Sequence, residues 1–328
     1  MRILCLQLKR IGDAILTAPA LAALREAHPL ANMTLVLHGV SGQLGPAFAA
    51  VDEVCIYKPG RPNVKLWSRV VAGRWQACFD FTGTDRSALM ARMSRASRIF
   101  GYRKFAERRP WRPHCYTELR DVAVRDLHTV DFFRSLTGLP PAEDSGFEVP
   151  SRKKTRGDVL PRGDYVVVHP GSARVEKLWP AERWAEVIAH IKAPVVLTGS
   201  DDSDEQKHIE QILSKVPAKS KVRNLSGRLT LLQLASVIGH ARVLLSVDSA
   251  AMHLAAMEER PQVALFGPTN PFHWRPRHAQ ARVLMGGVTP AEFSPHDEPR
   301  SMNELPAAAV IEAVDSLLAA SAPKQKLR

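Results

Sequence analysis

A chain of 328 residues exceeds what one hydrophobic core normally serves, so two domains of similar size are expected. With 45% hydrophobic and 24% charged residues, the composition excludes disordered, fibrous and collagen-like chains. The net charge of +12 is concentrated in residues 1–113, which hold 18 Lys/Arg against 7 Asp/Glu. Nine basic residues and one acid, Glu107, fall within Arg86–Arg112 alone, a density that suggests a phosphorylated or anionic partner.

The first element is the apolar run ILCLQL, which meets Lys9 and Arg10 at once and so lacks the order of a secretory signal. No apolar run approaches the roughly 18 residues of a membrane span. Cys5, Cys55, Cys78 and Cys115 show neither a CxxC pair nor zinc spacing, so a cytoplasmic location is expected. The chain then alternates: a helix over Ala14–Ala27, a strand in MTLVLH, a helix at Ala47–Ala50, a strand in EVCIY, a helix over Val64–Gly73 and a strand in ACFDF. This is the rhythm of a parallel sheet with crossover helices. An Arg/Pro/Trp-rich stretch runs to Pro113, and a helix is predicted over Leu119–Leu136, closed by Gly138 and Pro140.

Residues 151–163, polar, basic and broken by Pro and Gly, read as a linker between an N-terminal domain (1–150) and a C-terminal one (164–328). Beyond it the rhythm restarts: YVVVHPG, a helix over Ala181–His190, APVVLTGS, helices over Asp204–Val216 and Leu231–Gly239, ARVLLSVDS, a helix over Ala250–Met257, PQVALFGPT, and a last helix over Glu304–Leu318. Continuous Val/Leu/Ile runs are those of a sheet covered on both faces. Ligands of such sheets bind beyond the carboxyl ends of the strands. The polar clusters there are therefore the candidate sites.

Asp13 opens a helix after the first strand. It reads either as a cap or as a base that accepts the proton of an attacking hydroxyl. In HPGSARVEKLWP, Gly171 allows close backbone approach, Ser172 can donate to a phosphate oxygen and Lys177 supplies a compact positive charge. In VDSAAMHLAA, small residues at a helix N-terminus form an anion site. His253 there can add a hydrogen bond or a positive charge, while Asp248 or Ser249 can equally be plain caps. Asp202-Ser203-Asp204 looks like a metal-chelating DxD but sits where first-turn capping acids belong. GxGxxG and GxxxxGK[ST] are both missing, which argues against dinucleotide oxidoreductases and P-loop enzymes.

GDAILTAPAL, HPGS…EKLWP and VDSAAMHLAA…VALFGPTNP together resemble glycosyltransferase family 9, the ADP-heptose:lipopolysaccharide heptosyltransferases. The resemblance runs from Met1 to about Pro276 and implies a GT-B fold, two Rossmann-like doubly wound α/β domains facing a central cleft. It also implies an inverting mechanism without metal or other cofactor, an ADP-heptose donor held by the C-terminal domain and a lipopolysaccharide-core acceptor met by the N-terminal one. By position it assigns Asp13 as general base. Ser172, Ala173 and Lys177 grip the donor's phosphates and sugar, with Lys177 and the helix N-terminus stabilising the departing diphosphate. Asp248, Ser249, Ala250, Ala251 and His253 form the diphosphate and sugar loop, Leu229 lies against the adenine and Asp201 contacts the ribose. The chain departs from the family in reading DSAAM where many members have DSG or DTG.

The basic stretch, with Arg103, Arg108 and Arg109 beside Trp111, Tyr102 and Phe105, is expected to meet a phosphorylated glycolipid acceptor or an anionic inner-membrane surface. Competing readings are a same-family enzyme using another nucleotide sugar or glycan, and a non-catalytic nucleotide-sugar or anionic-glycan binding protein. The sequence carries no recognition module for nucleic acid.

Overall fold

The computed structural model describes residues 1–149, 164–287 and 289–320; the expected linker, residues 151–163, lies outside them. The chain divides into two compact units, Met1–Glu148 and Val149–Arg328.

The first unit runs β1 (Arg2–Gln7), α1 (Ile11–Leu16), α2 (Ala18–Ala27), β2 (Asn32–His38), β3 (Glu53–Tyr57), α3 (Val64–Ala72), β4 (Ala77–Asp80), α4 (Asp85–Met93), β5 (Arg98–Tyr102), α5 (Arg103–Ala106), β6 (Glu118–Arg120) and α6 (Thr129–Thr137). Its strands form one six-stranded parallel sheet of order β3-β2-β1-β4-β5-β6. Leu4 and Leu6 of β1 point to one face, where Val36, Cys78 and Ile99 join Leu66 and Val70 of α3 and Met90 and Ala91 of α4. Each buried Leu, Ile, Val or Met among them contributes about 1.5–3 kcal/mol, which fixes the register of the central strands.

The second unit runs β7 (Val166–His169), α7 (Ala181–His190), β8 (Val195–Leu197), α8 (Ser203–Lys215), β9 (Val222–Asn224), α9 (Leu231–Gly239), β10 (Val243–Val247), α10 (Ala250–Met257), β11 (Gln262–Phe266), α11 (Pro271–Trp274), β12 (Ala281–Met285) and α12 (Ala307–Ala320). Its sheet, β12-β11-β10-β7-β8-β9, repeats the order of the first. Trp179 and Trp184 pack edge to face at 5.1 Å between centroids, against a core built from β7, β8, β10 and β11 with Val310 and Val314 of α12.

Four expected helices take other forms. The helix expected over Ala14–Ala27 is two, because Pro19 lies at the start of α2 and Thr17 at the junction is claimed by side-chain bonds: Gln7 Nε2 donates to its hydroxyl at 2.7 Å, and that hydroxyl donates to the Asp13 carbonyl at 2.8 Å. Ala47–Ala50 is not a helix; a 3₁₀ segment, Gly39–Ala47, precedes it. Most of Leu119–Leu136 is not helical either. Glu118–Arg120 completes the sheet beside β5, and α6 starts only at Thr129, where His128 Nδ1 accepts from the Val130 N–H at 3.2 Å. The final helix begins at Ala307, after a 3₁₀ turn over Met302–Glu304 and Pro306. No helix among the described residues is long and apolar enough to cross a membrane.

Candidate functional site

In each sheet the chain leaves its first strand in one direction and its fourth in the other. The switch point therefore lies between β1 and β4 in the first unit and between β7 and β10 in the second, where doubly wound folds hold their ligands.

At the second switch point the loop after β7 carries Lys177 and β10 ends at Asp248. Lys177 Nζ donates to Asp248 Oδ2 at 2.6 Å, and Thr269 Oγ1, from the loop after β11, donates to the same oxygen at 2.7 Å. Three strand ends thus meet on one carboxylate. Both partners are largely buried, with side-chain exposures of 13% for Lys177 and 6% for Asp248, so the pair is poorly screened by solvent. Asp248 is consequently not a cap. Nor is Ser249: it occupies the N-cap position of α10 but makes no side-chain cap bond, and its hydroxyl is buried without a partner. Ala250 and Ala251 begin the helix with side chains too small to cover its free N–H groups.

His253, one turn further on, is 4% exposed, and burial lowers its pKa to about 4 against the opposing influence of Asp248. It is neutral at pH 7. Of the two contributions open to it from the sequence, a hydrogen bond or a positive charge, burial leaves the hydrogen bond.

Ser172 Oγ accepts from the Arg174 N–H at 3.3 Å, and Ala173 beside it is exposed. Asp201 is exposed in the loop after β8. Leu229 is half-buried in the loop after β9, two residues beyond Gly227, where a Cβ would lie 3.6 Å from Asp201. Asp202 caps α8, accepting from the Asp204 and Glu205 N–H groups at 3.0 and 3.2 Å, while Asp204 pairs with Lys207 at 3.2 Å.

Glu205 was not singled out from the sequence. Its carboxylate accepts from the Ser200 N–H at 2.7 Å and from the Ser200 hydroxyl at 2.6 Å. It fills the space that a Cβ on Gly171 or Gly199 would need, which locks the loops after β7 and β8 together. The signal was present as two glycines facing one buried acid, but it needed tertiary contacts to be read.

At the first switch point Asp13 is the third residue of α1. The N-cap is Arg10, which offers no side-chain bond. Burial raises the pKa of Asp13 above its usual value, with Lys9 and Arg10 pulling the other way. Burial likewise lowers Lys9, opposed by Asp13 and Asp80, and the Lys9 ammonium sits 5.0 Å from the Phe105 ring centroid. Asp80, fully buried at the end of β4, accepts from Tyr116 Oη at 2.8 Å and from the Thr82 and Gly83 N–H groups at 2.9 and 3.1 Å. Thr82 Oγ1 in turn accepts from the Leu8 N–H at 2.7 Å, tying the loop before Asp13 to the end of β4. Lys9, Asp80 and Tyr116 were also missed, since a buried acid on a neighbouring strand has no signature at fixed sequence spacing.

Arg103, Arg108 and Arg109 are exposed; Arg103 lies 3.5 Å from Glu107, and Arg108 lies over the Phe105 ring. Tyr102, expected to cover a ligand, is instead core: it is 2% exposed, and its hydroxyl donates to the Phe132 carbonyl at 3.0 Å. Trp111 remains exposed.

Two all-parallel doubly wound sheets of the same strand order, each with polar groups gathered at its switch point, are the architecture of the GT-B fold. Residues 63–298 match the model of glycosyltransferase family 9 (heptosyltransferase). A lipopolysaccharide heptosyltransferase 3 of Escherichia coli is 24% identical, with 95% of this chain and 96% of that protein covered. A family 9 glycosyltransferase from Veillonella parvula superposes with a TM-score of 0.84 at 23% identity, covering 97% of each chain. The E. coli heptosyltransferase WaaC with ADP-2-deoxy-2-fluoro heptose superposes at 0.75, with 22% identity and 96% and 99% of the two chains covered. The chain belongs to glycosyltransferase family 9.

Proposed function

We propose that this protein transfers heptose from ADP-heptose to a lipopolysaccharide-core acceptor, with inversion and without a metal. The observation that carries the reading is the Lys177–Asp248 pair beside the uncapped start of α10, an arrangement suited to a diphosphate. The named activity of the E. coli relative and the donor analogue seen with WaaC supply the sugar. In this reading residues 164–328 form the donor domain. Lys177, Ser172 and the N–H groups at Ser249–Ala251 hold the diphosphate, His253 offers a hydrogen bond, Ala173 leaves room for the sugar, Asp201 meets the ribose and Leu229 the adenine.

Residues 1–150 form the acceptor domain, with 151–163 as linker. Asp13 takes the proton from the attacking hydroxyl as the new bond forms at the anomeric carbon and the bond to the diphosphate breaks on the opposite face. Lys177 and the α10 N–H groups then carry the charge that develops on the leaving ADP, the task a metal performs elsewhere. Arg103, Arg108 and Arg109 meet acceptor phosphates. The enzyme acts from the cytoplasm, in keeping with four unpaired cysteines.

The test is release of ADP and heptosylation of a core acceptor, followed across a panel of nucleotide sugars with and without EDTA. Turnover with ADP-heptose that survives the chelator is the expected result. Preference for another donor, or loss of turnover restored by Mg²⁺, would overturn the corresponding part of the reading.

A further inference from the structure

The second unit holds a recess that the donor site does not use. It opens beside β12, the edge strand of the sheet, and has a volume of about 520 Å³. β12 lies two strands from β10, about 10 Å sideways at ordinary strand spacing, so the recess stands apart from the switch point that carries Lys177 and Asp248. Part of its lining is apolar: Ala281 and Val283, alternate residues on one face of β12, together with Phe293. Arg275 and Arg277 add two guanidinium groups and Glu292 one carboxylate. His278, also in the lining, has its pKa lowered by burial and is neutral at pH 7. The lining therefore carries two positive charges against one negative.

These groups are held in place. Arg275 directly follows α11 and donates to the Phe272 carbonyl at 3.1 Å, and its guanidinium lies 5.7 Å from the Phe272 ring centroid and 5.6 Å from that of Phe293. Burial, and then the charge of Arg277, lower its pKa from the ordinary value, so the two cations are near enough to repel. A shared anion relieves that repulsion. The segment bearing Glu292 and Phe293 is pinned at both ends: Thr289 Oγ1 accepts from the Met285 N–H at 3.0 Å, and Asn270 Nδ2 donates to the Ser294 carbonyl at 2.8 Å.

We propose that this recess binds a small sugar phosphate, with Arg275 and Arg277 on the phosphate, the surface of Phe293, Val283 and Ala281 against one face of the sugar ring, and Glu292 accepting from its hydroxyls. Guanidinium groups suit the phosphate because they bond two of its oxygens at once. A sugar ring presents C–H groups on its face and hydroxyls around its rim, which matches an apolar surface with a carboxylate beside it. A bare phosphate would leave that surface unused, whereas the volume falls within the roughly 300–1,000 Å³ of small-molecule sites. The inference does not rest on the proposed transfer, since it needs no reaction.

Calorimetric titration of the full chain with glucose 6-phosphate, glucose and inorganic phosphate, at constant ionic strength and with saturating ADP, tests it. Glucose 6-phosphate should bind with one-to-one stoichiometry, at least about tenfold more tightly than inorganic phosphate, and glucose alone more weakly than either. Arg277→Glu should weaken glucose 6-phosphate by about tenfold or more. Ala281→Phe, which fills the recess, should weaken glucose 6-phosphate but leave inorganic phosphate unchanged. Arg277 is exposed and Ala281 opens on the recess, so both variants should keep thermal midpoints near wild type. Lys177→Met should bind glucose 6-phosphate as wild type does, below its own midpoint. No binding at millimolar concentration overturns the proposal, as does equal affinity for inorganic phosphate, which would make the arginines a site for the free ion only. Wild-type affinity in both recess variants would place the ligand elsewhere, and loss of binding in Lys177→Met would place it at the donor site; either result overturns the proposal too.

Discussion

Replacing Lys177 by Met removes the ammonium from a pair in which Lys177 and Asp248 are 13% and 6% exposed, and leaves the buried Asp248 carboxylate the side-chain bond from Thr269 among the described residues. Breaking a buried pair from one side costs about 3–5 kcal/mol. Taking the lower end for a site next to solvent, the midpoint of a unit this size should fall by roughly 6–12 °C. Adding Asp248→Asn removes the stranded charge, so the double variant should regain much of that stability. Turnover should not return with it. Loss of one preorganised donor to a developing oxyanion lowers kcat by about 10²–10³, and the double variant restores no cation. Calorimetry and ADP release on wild type, both single variants and the double variant therefore decide between two roles. If Lys177→Met is destabilised yet turns over within a few fold of wild type, the pair is a structural staple and Lys177 has no part in leaving-group departure.

Asp13→Asn should abolish transfer and leave ADP binding by calorimetric titration near normal, because the amide keeps the shape but accepts no proton; near-normal turnover would remove Asp13 from the mechanism. Burial already raises Asp13, so the acidic limb of kcat/KM should lie above the ordinary 3.8, with activity lost as pH falls through the folded value. Lys9→Met removes the largest opposing influence on that carboxyl and should move the limb to still higher pH; an unmoved limb would show that another group governs it. Gly171→Ala places a Cβ on the Glu205 carboxylate and should cost about 1–3 kcal/mol, together with weaker ADP binding; an unchanged midpoint would mean the loops after β7 and β8 are free to separate.

Continuous apolar strands and helices bounded by Gly, Pro and capping residues were legible in the second unit, where α7, α9 and α10 fall on their expected spans. Elements decided by neighbours were not. β6 exists because β5 offers an edge, and the Leu119–Leu136 periodicity had no means of registering that edge. The same division holds at the candidate site. Loops at strand ends, with Lys177, Asp248 and Ser249, could be singled out along the chain. That Asp248 holds Lys177 rather than capping α10, and that Glu205 wedges between Gly171 and Gly199, depends on residues up to 71 positions apart in sequence meeting in space. The sequence left His253 open between a hydrogen bond and a positive charge for a related reason. Its burial, which keeps it neutral, is a property of the packing around α10.

The tether between Lys177 and Asp248 also bears on how the product leaves. A bare buried lysine would grip ADP as firmly as the sugar nucleotide, and a tightly held product slows every cycle. Because this ammonium is already shared with a carboxylate 2.6 Å away, the pocket has little net charge of its own to hold an anion. Its donors are aimed rather than strongly attracting. In the proposed reaction the neighbouring carboxylate weakens the pull of the lysine on donor and product alike, so the same contact that positions the lysine eases discharge of the spent nucleotide.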